Sequence, residues 1–125
     1  MTLIKAIEDF DSSRANNVEY AQKVRWISEL DAKINDEYLI YRGGTEFTPY
    51  SVETGGETQL KAPEAFSEIY ALYLNMKLDY FNGEITRFNN SAVLFNRLYK
   101  EMGDAINRHT AVTTKTKIKA GDLYV

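Results

Sequence analysis

The sequence lacks cysteine altogether and has only two prolines and one histidine in 125 residues. Without cysteine there is no disulfide, no thiolate metal site and no cysteine nucleophile. The scarcity of proline favours long, uninterrupted helices. No apolar run approaches the roughly 18 residues of a membrane span, and the first residues lack the apolar core of a signal peptide. We therefore expect an unprocessed cytoplasmic protein with no membrane contact.

The chain carries little excess charge of either sign. Its 15 Lys and Arg stand against 18 Asp and Glu, a formal net charge of −3. That balance argues against a nucleic-acid binder that works through a broad basic surface. Aromatic residues are abundant instead, with nine Tyr and six Phe. Because a tyrosine ring is apolar and its hydroxyl tolerates water, many tyrosines favour surfaces that are buried only part of the time.

Apolar residues at helical spacing predict two helices in the first third of the chain. The first covers residues 3–10 and stops at the polar cluster 11–13. The second follows Asn16, which we expect to act as N-cap with Glu19 three residues later, as in a capping box. Its apolar stripe continues to Tyr38.

Two further helices are predicted to form a long antiparallel hairpin. Pro63 suits the first turn of the third helix, and Asn82-Gly83 is typical of its C-terminal cap. The fourth helix is predicted over residues 84–109. The third helix is apolar nearly all round and must therefore be covered nearly all round. Either it is the central element of the core, or part of its surface meets another subunit.

Between the second and third helices, residues 39–60 lose the helical period. Gly55-Gly56 lies between strand-forming residues and indicates a two-residue hairpin turn. Phe47, Tyr50 and Val52 belong to this segment, which is either a β-hairpin or a long loop. A connection of this length tends to be functional, and the alternative is a mobile loop of no consequence.

The last segment, residues 110–125, has a different character. It holds three of the 15 cationic residues, Lys115, Lys117 and Lys119, and one of the 18 anionic residues. As a strand it would present three ammonium groups on one side. We expect an extended tail, which is either a solvated terminus or an arm that adds to a neighbour's sheet edge or touches DNA phosphate.

These patterns together predict a mainly α fold. It is a four-helix bundle-like domain over residues 1–109, built round the long αα-hairpin. The β-hairpin or long loop over residues 39–60 joins helices two and three, and the extended tail follows from residue 110.

Enzymatic candidates are few. His109 is the only imidazole and falls at a predicted helix C-terminus, where the helix dipole favours a cation. No spacing identifies a nucleophile or an orienting acid beside it. The two Gly-Gly pairs lack the context of a phosphate loop. We predict no catalytic residue, no metal site and no cofactor, although an enzyme that uses His109 remains the third hypothesis.

Several short motifs, in this order and spacing between Val18 and His109, resemble small head–tail connector proteins of long-tailed bacteriophages and of prophages in Gram-positive bacteria. They are Arg25-Trp26-Ile27, Asp36-Glu37, Tyr50-Ser51-Val52-Glu53-Thr54 leading to Leu60 and Pro63, Ile69-Tyr70, Tyr73-Leu74, Asn82-Gly83-Glu84, Asn89-Asn90, Phe95-Asn96 and Tyr99. The resemblance implies a helical adaptor that assembles as a ring of about a dozen copies beneath a portal protein. It also implies docking of a tail-side stopper protein and passing contact with double-stranded DNA, in the host cytoplasm during assembly and then in the virion. The resemblance supplies no catalytic residue.

We expect the subunit contacts of such a ring to come from exposed aromatic and apolar residues. The predicted interface residues are Tyr70, Tyr73, Tyr80, Phe47, Tyr50 and Val52, and the predicted tail contacts are Lys115, Lys117 and Lys119. The main alternative, from a different functional class, is a small helical regulatory module. In it the aromatic third helix would be the permanent seam of a homodimer.

Overall fold

The computed structural model describes the backbone of residues 1–119 and the side chains of residues 1–109. Four α-helices dominate it, and they pack as a bundle round an αα-hairpin, so the predicted mainly α class is confirmed. The helices are α1, Leu3–Ser13; α2, Tyr20–Ile34; α3, Ile69–Phe81; and α4, Ile85–Lys119. One π-helical turn, Asn35–Leu39, and two 3₁₀ turns, Ile40–Arg42 and Glu64–Phe66, complete the elements.

Helix α1 forms where the spacing predicted it. Its apolar residues at helical intervals are all buried: Leu3, Ala6, Ile7 and Phe10. Thr2 caps it, because its hydroxyl accepts a hydrogen bond from the amide of Lys5 at 3.3 Å.

Helix α2 begins later than predicted, and the expected capping box is wrong. Its N-cap is Glu19, which makes no side-chain cap bond. The Asn16 amide is engaged in the link to α1 instead, where it donates to Asp11 at 3.1 Å and to the Arg14 carbonyl at 2.9 Å. Beyond Ile34 the helical path continues through the π and 3₁₀ turns until Gly43, whose φ of +87° ends it.

Of the predicted segment 39–60, residues 43–60 form the long loop that was one of the two predicted alternatives, and the β-hairpin does not form. The predicted loss of helical structure from residue 39 is wrong over residues 39–42, which still lie in the π and 3₁₀ turns. The backbone of residues 56–60 bonds to the start of α1 rather than to residues 50–54. The amides of Leu3 and Ile4 donate to the carbonyls of Thr58 and Gly56 at 2.9 and 3.0 Å. Gly56 fits this close approach, because a Cβ on it would lie 3.0 Å from the Ile4 Cβ and would require Ile4 to shift. The turn at Gly55-Gly56 therefore serves the contact with α1.

Helices α3 and α4 form the predicted antiparallel hairpin. The predicted start of the third helix at Pro63 is wrong, because Pro63 precedes the 3₁₀ turn Glu64–Phe66 and α3 begins at Ile69. Gly83, with φ of +74°, takes the left-handed conformation that ends α3, and the amide of Glu84 donates to the Asp79 carbonyl at 2.9 Å. Of the two alternatives for this helix, the central core element is confirmed for its first ten residues, among which Ile69 and Leu74 are fully buried. Its last two residues, Tyr80 and Phe81, remain exposed.

Helix α4 runs to Lys119, so the predicted end at His109 and the extended form of the tail are wrong over residues 110–119. No glycine or proline interrupts the chain between Gly103 and Gly121, so nothing there terminates the backbone hydrogen bonding. Lys115, Lys117 and Lys119 therefore lie on helical backbone, which excludes the strand-like arrangement. The remainder of the predicted tail, residues 120–125, lies outside the described residues.

Candidate assembly surface

The exposed large apolar side chains mark where this body can meet another protein. The most exposed are Tyr41 at 76%, Tyr80 and Phe81 at 67%, Ile85 at 62% and Val52 at 58%. Tyr80, Phe81 and Ile85 flank the turn between α3 and α4 and are called the turn patch below. Val52 belongs to the long loop. Exposed aromatic and aliphatic groups of this kind are typical of interaction surfaces.

Two of the predicted interface residues, Tyr70 and Tyr73, are wrongly assigned. Tyr70 is 1% exposed, and its hydroxyl donates to Asp31 at 2.6 Å. Tyr73 is also buried, and its ring packs against that of Phe95 with centroids 5.2 Å apart. Both face the inside of the bundle, because α3 is enclosed by the other three helices. The apolar pattern on several faces of α3 therefore reflects a central position over most of its length.

The other four predicted interface residues lie at or near the surface. Tyr80 belongs to the turn patch. Phe47, Tyr50 and Val52 come together on the long loop, where they form one wall of an open groove of about 480 Å³. The opposite wall is α2. The lining residues are Ala21, Arg25, Ser28, Glu29 and Ala32 from α2, and Phe47, Pro49, Tyr50, Ser51 and Val52 from the loop. This cleft is called the α2–loop groove.

Tyr50 holds the loop wall of the groove in place. Its backbone amide donates to the Ser28 hydroxyl at 2.9 Å, and its phenol donates to Asp31 at 2.7 Å. The ring of Phe47 stands edge-on to that of Tyr50, with centroids 5.1 Å apart. The groove is therefore a built feature, since its loop wall is bonded to its helical wall.

Asp31 is the buried anchor of this arrangement. One of its carboxylate oxygens accepts from Tyr70, and the other accepts from Tyr50 and from the Lys61 amide at 3.0 Å. Burial raises the pKa of Asp31, although these hydrogen bonds oppose the shift. Burial and the neighbouring carboxylate also raise the pKa of Tyr50 and of Tyr70, so both phenols stay protonated as donors. The cluster ties α2, the loop and α3 together.

The charged residues of the groove differ in their partners. The Glu29 carboxylate lies 3.3 Å from the Lys77 amine and accepts from the Tyr73 hydroxyl at 3.4 Å. The exposed Arg25 guanidinium has no ion pair and no hydrogen bond among the side chains of residues 1–109. The α2–loop groove thus combines apolar walls with one cationic group, Arg25, that is unpaired among the side chains of residues 1–109.

The turn patch rests on a rigid base. The Asp79 carboxylate, 1% exposed, accepts from Arg14 at 2.6 Å and from the Ser91 hydroxyl at 2.7 Å. Burial opposes ionisation of Asp79, but the hydrogen bonds from Arg14 and Ser91 outweigh it and lower its pKa. These bonds join the end of α1 to both arms of the α3–α4 hairpin. In the patch itself, Phe81 meets the ring of Trp26 at a centroid distance of 6.1 Å.

The described residues show no grouping of side chains that would make His109 catalytic or form a metal site. His109 is exposed and lies inside α4 rather than at its C-terminus, since the helix continues for ten more residues. In the described part of the chain, no three His, Asp or Glu side chains are grouped as metal ligands. Nor does any helix of that part combine the length and apolarity that crossing a bilayer requires.

Sequence reasoning missed three residues of this surface. Phe81 and Ile85 flank the Asn82-Gly83 cap, and their exposure follows from the turn that directs them away from the core. In the sequence, Arg25 stands out only as part of the motif Arg25-Trp26-Ile27. Its exposure could have been predicted, because Arg25 lies outside the buried apolar stripe of α2 to which Val24 and Ile27 belong.

Comparisons of the chain with protein-family models, with curated proteins and with solved structures found no match.

Proposed function

We propose that the protein is a structural, non-enzymatic component of a phage or prophage virion. In this proposal it is a head–tail connector that assembles from its own copies into a ring below the portal protein. The ring extends the DNA channel and gives a tail-side stopper protein a surface to dock on. The protein would act in the host cytoplasm during assembly and afterwards at the head–tail junction of the virion.

The observation that carries the proposal is the presence of two separate apolar surfaces on one well-tied helical body. A closed ring needs heterologous interfaces, in which each subunit offers its neighbours two different surfaces. The α2–loop groove and the turn patch share no residue. Both rest on buried hydrogen-bonded anchors, Asp31 and Asp79. A body of this kind keeps its shape before assembly, so little ordering entropy opposes association.

The overall charge supports the same role. With 18 acidic and 15 basic residues, the chain offers double-stranded DNA no strong grip. A channel wall must let DNA slide, and a strongly basic lumen would hold phosphate instead. Contact with DNA is therefore expected to be passing and weak.

Ile85→Glu tests the proposal without endangering the fold. Ile85 is 62% exposed at the first position of α4, where a carboxylate is favoured by the helix dipole. The variant should fold normally and fail to bind tail-less, portal-bearing capsids of the encoding phage or prophage, as seen by negative-stain electron microscopy. Tyr41→Glu is the control, because Tyr41 is even more exposed, at 76%, and lies outside both surfaces. The proposal fails if the wild-type chain leaves the portal vertex bare.

The homodimeric regulatory module remains the alternative. Its seam was expected along the aromatic face of α3, and the burial of Tyr70 and Tyr73 leaves only the exposed end of that helix to form it. A seam centred on Tyr80 and Phe81 would produce a tight dimer. Size-exclusion chromatography with light scattering distinguishes the two, since a dimer at low micromolar concentration favours the module and a monomer favours the connector.

A further inference from the structure

We propose that the α2–loop groove binds the C-terminal residues 120–125 of a second copy of this chain. This inference rests on the proposed assembly from identical copies and names one of its contacts. Its starting point is the match between the groove and that sequence. The groove joins apolar walls to the Arg25 guanidinium, which has no ion pair within the described side chains, and residues 122–125 are Asp, Leu, Tyr and Val.

The chemical match is specific in two respects. The side chains of Phe47, Tyr50 and Val52 offer apolar contact to Leu123, Tyr124 and Val125. Arg25 offers its guanidinium to the Asp122 carboxylate, and such pairs form charge-assisted, often bidentate hydrogen bonds. Glu29, one helical turn after Arg25, is paired with the Lys77 amine at 3.3 Å.

The direction of the helices determines whether the groove can be filled by residues 120–125 of the same chain or only by those of another copy. Helix α2 runs antiparallel to α3, since Trp26 contacts Phe81 and Asp31 contacts Tyr70. Helix α4 also runs antiparallel to α3, as the ring contact between Tyr73 and Phe95 requires. Therefore α4 runs in the same direction as α2, and its later residues lead away from the groove.

The distance excludes the chain's own groove. Tyr99 lies level with Lys33, whose amine is 5.4 Å from its ring, just beyond the last groove residue of α2, Ala32. From Tyr99 to Lys119 the helix advances by about 30 Å at about 1.5 Å per residue. Six extended residues span about 20 Å. Six residues are too few to span that distance back, so a segment 120–125 that fills the groove must come from a neighbouring copy.

This arrangement makes one contact of the ring heterologous. Each copy offers its groove to one neighbour and its C-terminal residues to the other, so the same contact repeats round the ring. The arrangement also accounts for the length of α4, because this helix extends past the end of the bundle and brings residues 120–125 towards a neighbouring copy.

A disulfide experiment tests the contact directly. The chain has no cysteine, so Val52→Cys in one preparation and Tyr124→Cys in another introduce one thiol each. After mixing and mild oxidation we expect a covalent heterodimer that carries one chain of each kind. A chain with both substitutions should form linked oligomers, whereas closure within one chain would overturn the proposal.

Charge reversal provides the second readout. Arg25→Glu should weaken self-association about tenfold, as should Asp122→Arg, and the two together should restore it. Arg108→Glu is the control, since Arg108 is also exposed and does not line the groove. A full-length Arg25→Glu chain mixed with one that lacks residues 120–125 should give a 1:1 complex, because one intact groove meets one intact segment.

The outcomes separate this inference from the proposed function. If the wild-type chain does not self-associate, the proposed assembly fails and the inference fails with it. If the wild-type chain assembles, and both the Arg25→Glu chain and the truncated chain assemble equally well, the inference alone is overturned.

Discussion

Replacement of Asp31 by alanine should cost this small protein a large part of its stability. The carboxylate is fully buried and accepts hydrogen bonds from the Tyr70 phenol, the Tyr50 phenol and the Lys61 amide, at 2.6 to 3.0 Å. Each buried donor that loses its acceptor costs about 1–3 kcal/mol. The Tyr50 and Lys61 donors lie nearer to water than the Tyr70 donor does. The loss of their acceptor therefore costs less free energy. Removing a buried carboxylate also relieves its own desolvation.

The net expectation is a loss of about 3 kcal/mol in the free energy of unfolding, a large share of the roughly 5–15 kcal/mol of a typical domain. Urea unfolding followed by circular dichroism at the helical band measures it. Tyr50→Phe removes one of the three bonds and should cost about 1 kcal/mol. In the Asp31→Ala background the same change should cost almost nothing, because its partner is already gone. A loss below about 0.5 kcal/mol for Asp31→Ala would refute the assigned network.

The pH dependence of this residue has a defined sign. Because the folded-state pKa of Asp31 is raised above its ordinary 3.8, the folded chain holds this proton more tightly than the unfolded chain. Stability contributed by Asp31 therefore falls as pH rises from 3.8 through the raised pKa. Over that pH range, the free energy of unfolding of the wild-type chain should fall relative to that of Asp31→Asn. Urea unfolding at a series of pH values measures the difference.

Two further predictions concern the base and the turn of the hairpin. Because the pKa of Asp79 is lowered in the folded state, its contribution is present above pH 3.8 and is lost as pH falls through the lowered value. Asp79→Asn should thus cost about 2 kcal/mol at pH 7 and progressively less in acid, and an unchanged difference would contradict the ion pair with Arg14. Gly83→Ala should cost about 1 kcal/mol in urea unfolding, since its φ of +74° disfavours a Cβ, and Gly83→Asn should cost less. Gly55→Ala, in open space and without a positive φ, is the control, and an equal loss there would remove the conformational explanation.

Local spacing predicted the number and order of the helices, but not all of their ends and not the segments that pack against them. Leu3, Ile7 and Phe10 repeat on one face, so α1 was visible in the sequence, and Asn82-Gly83 ended α3 as expected. The β-hairpin failed because the partner of residues 56–60 is the start of α1, which lies more than fifty residues away in sequence. No local pattern records a contact of that separation.

The candidate surface was predictable only in part for the same reason. A helix that is apolar on every side gives no indication of which side faces solvent, so Tyr70 and Tyr73 were placed outside when Asp31 and Phe95 hold them inside. Tyr50 and Val52 were expected at an interface and do line the α2–loop groove. Whether they contact a second copy stays a prediction.

Helix α4 illustrates a different limit. The alternation of threonine and lysine after residue 110 has the period of a strand, and β-branched residues favour strands. The backbone nevertheless continues as helix to Lys119, since an established helix propagates more easily than it starts. The strand-like period there was outweighed by the helix that precedes it.

Native mass spectrometry of the purified chain at increasing concentration tests the central claim most directly. The proposed connector predicts a monomer at low concentration and, on concentration, one closed species with a single, defined copy number. Ile85→Glu should abolish that species while its circular dichroism and urea unfolding stay unchanged. A wild-type chain that remains monomeric up to its solubility limit, or that stops at a dimer, would contradict assembly into a ring.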